Sequence, residues 1–164
     1  MKTLYLIGGP MGVGKTTTGR MLADALPRCA FLDGDWCWDI HPFTVTDETK
    51  ALVMGNIIHM LQGYLRCSEV ENVVFCWVMH QQAIVEEILA ALDLSDVRVV
   101  AVSLVCSPDA LTARLQRDID AGIRQADVIP HALDRLACFP AMRTHQLDTT
   151  DLTPAEAARL LQNL

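Results

Sequence analysis

The segment Gly9–Thr16 constrains this chain more than any other feature of its sequence. It reads Gly-Pro-Met-Gly-Val-Gly-Lys-Thr and fits the pattern G-x-x-x-x-G-K-[ST] at every position. Glycines allow backbone N–H groups to converge on phosphate oxygens, and the dipole of a following helix favours anions. The motif lies between an apolar run, Leu4–Ile7, and a helical pattern that begins at Thr16. This strand–loop–helix context predicts a phosphate-binding loop rather than a chance glycine turn.

Each residue type in this loop has a chemical part. We expect backbone amides to hold the phosphates and Lys15 to reach the β- and γ-phosphates of a nucleotide as a mobile cation. The hydroxyl of Thr16 can ligate Mg²⁺. The predicted nucleotide-binding residues of the loop are Gly9, Met11, Gly12, Val13, Gly14, Lys15, Thr16 and Thr17.

Apolar runs alternate with helical repeats along the whole chain. Nearly unbroken apolar strands separated by helices indicate a parallel sheet covered on both faces. We therefore predict one three-layer α/β domain over residues 1–164, with about five strands. The predicted strands are Leu4–Ile7, Ala30–Leu32, Val73–Met79, Val97–Val105 and Gln146–Thr149. The predicted helices are Thr16–Leu26, Asp47–Leu65, Ile84–Leu92, one that starts after Ser107, Pro130–Cys138 and one that starts after Thr153.

Composition excludes several classes of protein. Hydrophobic residues make up 51% of the 164 residues and charged residues 20%, which excludes a disordered chain. No apolar stretch reaches the roughly 18 residues of a membrane span, and we expect no secretory signal. A net charge of −7 argues against nucleic-acid and anionic-membrane partners. The six scattered cysteines are expected to be buried free thiols, which predicts a cytoplasmic protein.

A pair of carboxylates follows the second strand in the segment Phe31–Asp35. The carboxyl ends of parallel strands are the edge at which open α/β sheets bind ligands, so both acids are expected near the phosphate loop. Asp33, directly at the strand end and nearer the metal, is predicted to be a metal-side ligand that acts through water. Asp35, beyond the glycine, is predicted to accept a proton from a substrate hydroxyl. A simple Asx turn, which needs only one Asp, is the alternative.

The chain resembles the small-molecule P-loop kinases, including the shikimate- and gluconate-kinase-like and nucleoside monophosphate kinase-like enzymes. The resemblance spans nearly the whole chain and implies transfer of the γ-phosphoryl group of ATP, with Mg²⁺, to a small-molecule acceptor. It also implies an acceptor-binding cap near residues 36–68 and a mobile lid near residues 117–129. It rests on the phosphate loop, Phe31–Asp35, Cys106–Leu115, Arg124, Arg135, and Leu147–Thr149 ahead of Thr-Pro-x-Glu.

Further site residues are implied by this resemblance. Arg117 and Arg124 fall in the lid, where guanidinium groups close over the nucleotide phosphates, and Arg124 is assigned a catalytic part beside Lys15 and Asp35. Arg135 matches an arginine that contacts the acceptor in shikimate kinases. Asp148 and Thr149 match a loop that packs against adenine. Taken from the residues alone, Arg114 and Arg117 are each expected on a solvated helix face.

The chain departs from the shikimate kinases after the third strand. Phe75–His80 replaces their glycine triplet, and no Walker B aspartate is present, so Mg²⁺ must rely on Thr16 and Asp33. Trp36 and Trp38 could line a pocket for a ring-shaped acceptor, with Trp36 as a predicted contact, or pack beneath the cap helix. His80 is predicted as an acceptor contact, against the alternative of a structural histidine.

Three functions remain open from the sequence. The first is a kinase for a small hydroxylated or anionic metabolite, and the second is a nucleoside or nucleotide kinase that stacks a base on its tryptophans. The third is a regulatory nucleotide-binding module without an acceptor. A GTPase is disfavoured because no N-K-x-D motif is present. The sequence determines neither the acceptor nor the oligomeric state.

Overall fold

A parallel sheet of five strands forms the centre of the computed structural model, which describes residues 1–164. The strands lie in the order β2-β3-β1-β4-β5, so the predicted three-layer α/β fold is confirmed. The strands are β1 (Lys2–Gly8), β2 (Cys29–Asp33), β3 (Asn72–Cys76), β4 (Val97–Val105) and β5 (His145–Asp148). The helices are α1 (Lys15–Ala25), α2 (Asp47–Arg66), α3 (Gln82–Ala90), α4 (Pro108–Asp120), α5 (Val128–Leu136) and α6 (Pro154–Gln162).

The central strands β1, β3 and β4 bury side chains on both faces of the sheet, which is why they read as apolar runs. In β1, Leu4 and Leu6 belong to a core shared with α2 and α3. Tyr5 and Ile7 belong to a second core, shared with α1, α4, α5 and α6. Because successive residues of a strand point to opposite faces, one apolar strand supplies both cores.

The strand register brings the carboxyl ends of the first three strands level with one another. Ile7 pairs with Cys76, and Cys76 in turn pairs with Asp33. The loops that follow β1, β2 and β3 therefore leave the same edge of the sheet. This edge holds the phosphate loop and the two predicted carboxylates, as expected for a parallel α/β sheet.

Local capping signals set several helix starts. Thr46 with Thr49, and Thr153 with Glu156, form reciprocal side-chain and backbone hydrogen bonds at the starts of α2 and α6. Ser107 caps α4, with proline at the first helical position. Such caps satisfy backbone N–H groups that have no partner within the helix. These helix starts agree with the sequence prediction because each signal acts within three residues.

The third strand is shorter than predicted. It ends at Cys76 rather than Met79, although Trp77 and Met79 are both buried. The backbone turns away from strand geometry at Met79, which has a φ of 36°. Beyond Cys76 the chain still follows β1, because the N–H of Trp77 donates to the carbonyl oxygen of Ile7 at 3.1 Å and the N–H of Gly9 donates to that of Val78 at 3.2 Å. The apolar run therefore reports burial and two further backbone contacts beyond the end of the regular strand.

The prediction that the cysteines are free is confirmed, but the prediction that they are buried is wrong for four of the six. All six are free, but only Cys76 and Cys106 are buried, and Cys67 is exposed. Cys67 follows the last turn of α2, where the chain runs over the surface before it enters β3.

None of the helices combines the length and apolar character needed to cross a bilayer.

Candidate active site

The phosphate loop depends on glycines at two crowded positions. Gly9 and Gly12 have φ values of 150° and 80°. A Cβ atom at Gly9 would lie 2.7 Å from the carbonyl oxygen of Leu104, and one at Gly12 would lie 2.5 Å from Cδ2 of Leu115. Both the backbone conformation and the close neighbours exclude a side chain there. The loop is thereby fixed against β4 and α4 before any ligand binds.

Lys15 is held within the loop as a desolvated cation. Its Nζ donates a hydrogen bond to the carbonyl oxygen of Pro10 at 2.8 Å. Desolvation lowers the pKa of Lys15 to about 8, while the charges of Asp35 and Asp33 act in the opposite direction. A phosphate group placed beside this ammonium would favour its charged form.

Thr16 and Asp33 are brought together across 17 positions of sequence. Oγ1 of Thr16 donates to Oδ2 of Asp33 at 2.7 Å, and Asp33 is 6% exposed. The other oxygen of Asp33 accepts from the backbone N–H of Asp35 at 3.0 Å, which caps a 3₁₀ turn at Gly34–Trp38. Asp33 thus forms the Asx turn that the sequence left open as the alternative to a functional carboxylate. The same side chain also contacts Thr16.

The Thr16–Asp33 pair fits a Mg²⁺ site. Hydroxyl and carboxylate oxygens are the ligands that Mg²⁺ prefers, usually with several waters and the phosphates of the substrate completing its shell. No group of three or more His, Cys, Asp or Glu side chains in the chain could hold a metal ion by itself. The donor set therefore suits a metal that binds with a nucleotide rather than a permanent protein-bound metal.

Asp35 lies at the mouth of the same site. Desolvation and the charge of Asp33 raise the pKa of its carboxyl group, whereas Lys15, Arg124 and Trp77 lower it. Gly34 allows the turn to pack directly against Trp77, because a Cβ atom at Gly34 would lie 2.4 Å from Cγ of Trp77. A solvent-accessible carboxylate with a raised pKa beside a phosphate loop can accept a proton from a hydroxyl group.

His80 and Arg135 meet across 55 positions of sequence. Nη1 of Arg135 donates to Nε2 of His80 at 2.7 Å. Burial and the Arg135 charge lower the pKa of His80, which favours the neutral imidazole. Because Arg135 can only donate, Nε2 is the acceptor and the neutral ring carries its proton on Nδ1. That Nδ1 is the one buried side-chain polar atom without a hydrogen-bond partner. Two residues predicted separately as acceptor contacts therefore form one cluster.

The tryptophans divide between the two faces of the sheet. Trp77 is buried, and Trp38 packs on it with ring centroids 6.4 Å apart, so both contribute to the core shared with α2. Trp36 is 52% exposed and contacts the ring of Phe31, with the Arg20 guanidinium over both rings. Phe31 packs against the opposite core. The structure does not bring Trp36 together with the His80–Arg135 pair.

A cavity of about 460 Å³ opens between the phosphate loop, α4 and the start of α6. Its volume falls in the range of small-molecule and cofactor sites. Asp148 does not line it, but accepts hydrogen bonds from the N–H and Oγ1 of Thr150 at 2.8 and 2.6 Å. The residues that line it include Gly12, Val13, Gly14, Arg114, Arg117, Thr149, Thr150, Thr153 and Pro154.

Arg114 is the residue that sequence reasoning missed. It is partly buried, and its Nη1 donates to the carbonyl oxygen of Val13 at 3.2 Å and to Oγ1 of Thr149 at 3.1 Å. The expectation of a solvated helix face is therefore wrong for Arg114. Its place between Leu111 and Leu115, both fully buried, is the signal that could have predicted its inward orientation.

Arg124 lies near the reactive part of the site. Its Nε donates to Oδ2 of Asp118 at 3.0 Å. Its charge acts on both Lys15 and Asp35, lowering the pKa of each. Arg124 is therefore close enough to Lys15 and Asp35 for its charge to act on both.

Comparison with known proteins supports the same family of folds. The model of the AAA domain family matches residues 6–128, whereas no curated protein sequence matches the chain. A tunicamycin resistance protein of Deinococcus radiodurans is 22% identical over 99% of this chain and 95% of that chain, with a TM-score of 0.73. A gluconokinase of Sinorhizobium meliloti 1021 is 19% identical over 98% and 90% of the two chains, with a TM-score of 0.71.

A shikimate kinase of Acinetobacter baumannii, solved in complex with shikimate, is 21% identical. The match covers 98% of this chain and 90% of that chain, with a TM-score of 0.62. At these identities the likeness establishes the fold. The predicted resemblance to small-molecule P-loop kinases is confirmed at that level.

Proposed function

Since this chain belongs to the AAA domain family and has the fold of small-molecule P-loop kinases, we propose that it is an ATP- and Mg²⁺-dependent phosphotransferase. It moves the γ-phosphoryl group of ATP to a hydroxyl or anionic group of a small molecule. The observation that carries this proposal is the contact between Thr16 and Asp33 at 2.7 Å, beside the charges of Lys15 and Asp35. Phosphate-binding, metal-binding and proton-accepting groups thus share one edge of the sheet.

The nucleotide half of the site is proposed to hold ATP from two sides. Backbone amides of the phosphate loop and the Lys15 ammonium bind the phosphates, and Arg117 and Arg124 add positive charge. Thr149 lines the cavity for the base, while Asp148 orients Thr150. Mg²⁺, held through Thr16 and Asp33, would neutralise charge on the phosphate oxygens.

The acceptor half of the site is proposed to lie between Asp35 and the His80–Arg135 pair. Asp35 aligns the attacking hydroxyl group and accepts its proton, for which a raised pKa is favourable. The Arg135 guanidinium suits a carboxylate or another oxyanion of the acceptor. The names of the matched gluconokinase and shikimate kinase support an acceptor of this kind.

The packing of the aromatic residues weakens the case for a nucleoside acceptor. That case rested on stacking by Trp36, Trp38 and Trp77. Trp77 and Trp38 pack on each other within the core beneath the proposed cap, and Trp36 packs on the opposite side of β2.

We further infer a cytoplasmic location, because ATP is the proposed donor and all six thiols are free.

The proposal is tested by acceptor-dependent ADP release. Purified protein with Mg²⁺ and ATP is assayed against a panel of sugars, sugar acids, nucleosides and aminoglycoside-like alcohols. We expect one chemical class to stimulate ADP release, and Asp35→Asn to abolish the stimulation. Asp39→Asn is the matched control, because Asp39 is an exposed carboxylate of the same segment, paired with His41. ATP binding without stimulation by any acceptor would favour a regulatory module.

A further inference from the structure

The C-terminus of α4 reverses the chain in a fixed geometry. Gly122 has a φ of 72°, and its N–H donates to the carbonyl oxygen of Ile119 at 2.9 Å. The N–H of Ile123 donates to the carbonyl oxygen of Asp118 at 2.8 Å. Together these bonds form a Schellman motif, in which a left-handed glycine closes the last helical turn.

This reversal returns Arg124 to the side chain of Asp118. Nε of Arg124 donates to Oδ2 of Asp118 at 3.0 Å, and both side chains are only about one-third exposed, at 35% and 36%. The contact uses Nε alone, because neither Nη atom of Arg124 donates a hydrogen bond within the chain. A guanidinium held in this way keeps its two Nη groups available as a fork for phosphate oxygens.

We propose that Asp118 is a positioning residue that holds Arg124 at the γ-phosphate end of the phosphate loop. The capped end of α4 sets this arrangement before the nucleotide binds. The inference rests on the proposed function, because it takes Arg124 as a ligand of the transferred phosphoryl group. A preset arginine gives up less conformational freedom when the nucleotide binds, so more of its interaction energy appears as affinity.

A purely structural ion pair would behave differently. Partly exposed pairs of this kind contribute little to stability, so Asp118→Asn is expected to leave the melting temperature nearly unchanged. If Asp118 acts through Arg124, its removal must change how the protein distinguishes a nucleotide with a γ-phosphate from one without it. This nucleotide preference depends on the binding site, whereas a purely structural ion pair would affect only the stability of the fold.

The experiment measures binding of ADP and of the non-hydrolysable analogue AMP-PNP, both with Mg²⁺, by isothermal titration calorimetry. We expect Arg124→Gln to lower the preference for AMP-PNP by roughly tenfold or more, as for a lost charge-assisted hydrogen bond. Asp118→Asn should lower it by roughly threefold to tenfold, within the range for coupled neighbours. In the double variant, Asp118→Asn should add nothing to the effect of Arg124→Gln.

Further variants distinguish the positioning of Arg124 from a general effect on the C-terminal end of α4. Asp120→Asn is the matched control, because its carboxylate lies at the same helix end and accepts only from Gln116, at 2.8 Å. Gly122→Ala should lower the AMP-PNP preference as Asp118→Asn does. A Cβ atom at Gly122 meets nothing within 4 Å, so strain at positive φ is the cause. Gly122→Asn should restore part of the preference, since asparagine tolerates that conformation.

Three results would overturn the inference. The first is that Asp118→Asn lowers the preference equally with and without Arg124, and the second is that it leaves the preference unchanged while Arg124→Gln lowers it. The third is that Arg124→Gln leaves the preference unchanged. None of these measurements needs an acceptor, so they remain decisive if the acceptor panel fails. Failure of the phosphotransferase proposal and failure of this inference are therefore distinguishable.

Discussion

At the scale of single residues, burial of Lys15 disfavours the charged form of its side chain. Desolvation lowers the pKa of Lys15 to about 8, from an ordinary value of about 10.4. Asp33 and Asp35 offset part of this cost through their negative charge. The loop is therefore suited to a ligand that brings further negative charge, such as a nucleoside triphosphate.

The pKa of Lys15 predicts proton uptake when ATP binds. Above pH 8 the free protein holds Lys15 largely neutral, whereas bound phosphate raises its pKa and returns the proton. The affinity for ATP should therefore fall as the pH rises through 8. Calorimetry at pH 9 in buffers of different ionisation enthalpy should show this uptake, and at pH 7 Lys15 should contribute almost none. An ATP affinity independent of pH between 7 and 9 would contradict the assignment.

The two carboxylates predict different phenotypes. Asp35→Asn should lower turnover by roughly two to four orders of magnitude, as for a lost general base, with nearly unchanged affinity for ATP. Asp33→Asn should raise the Mg²⁺ concentration needed for half-maximal activity, because Asp33 contacts Thr16 at 2.7 Å. Steady-state kinetics over a Mg²⁺ series measures both effects. Exchanged phenotypes would show that the two roles are reversed.

At the scale of elements, the predicted lid near residues 117–129 divides into two parts. Residues 117–123 continue α4 and its hydrogen-bonded cap. The backbone N–H groups of residues 124–127 donate no hydrogen bond within the chain, and Val128 then begins α5. Any closing motion is therefore expected to centre on the short connection between the two helices.

Hydrogen exchange provides the test of this division. Without ligands, the amides of Gly122 and Ile123 should exchange more slowly than those of residues 125–127, because only the former are hydrogen-bonded. Nucleotide with acceptor should slow exchange in residues 125–127. The predicted lid would be contradicted by identical exchange in this connection with and without ligands.

At the scale of the whole molecule, the nucleotide cavity joins elements that are far apart in sequence. Arg114 on α4 bonds to Val13 of the phosphate loop and to Thr149 beyond β5. One guanidinium thereby connects the start, the middle and the end of the chain around one cavity. Ligand binding is expected to stabilise the entire domain rather than one loop.

Binding to the folded state alone predicts an effect of ATP on thermal stability by mass action. At 100 times its dissociation constant, ATP with Mg²⁺ should add about 2.7 kcal/mol to the free energy of unfolding. The melting temperature should rise accordingly, and Lys15→Ala should remove most of the rise. Lys50→Ala is the matched control, since Lys50 is an exposed lysine paired with Asp47. A Lys15→Ala variant with the full rise would refute the phosphate-loop assignment. Differential scanning fluorimetry measures these changes.

The sequence by itself determined the features that depend on a few adjacent residues. Gly9–Thr16 predicted the phosphate loop, because glycine conformation and the start of a helix are local properties of the backbone. The apolar strands predicted a parallel sheet, and capping residues such as Ser107 and Thr153 predicted helix starts. Each signal acts over a distance that the chain spans within one or two turns.

Only the tertiary structure decided which side chains meet across the fold. The contact of His80 with Arg135 spans 55 positions, and that of Arg114 with Val13 spans 101. Trp36 lies on one face of the sheet and Trp38 on the other, although one residue separates them. Such pairings depend on strand register, helix rotation and rotamer choice together, and these are set by the packing of the whole core rather than by neighbouring residues.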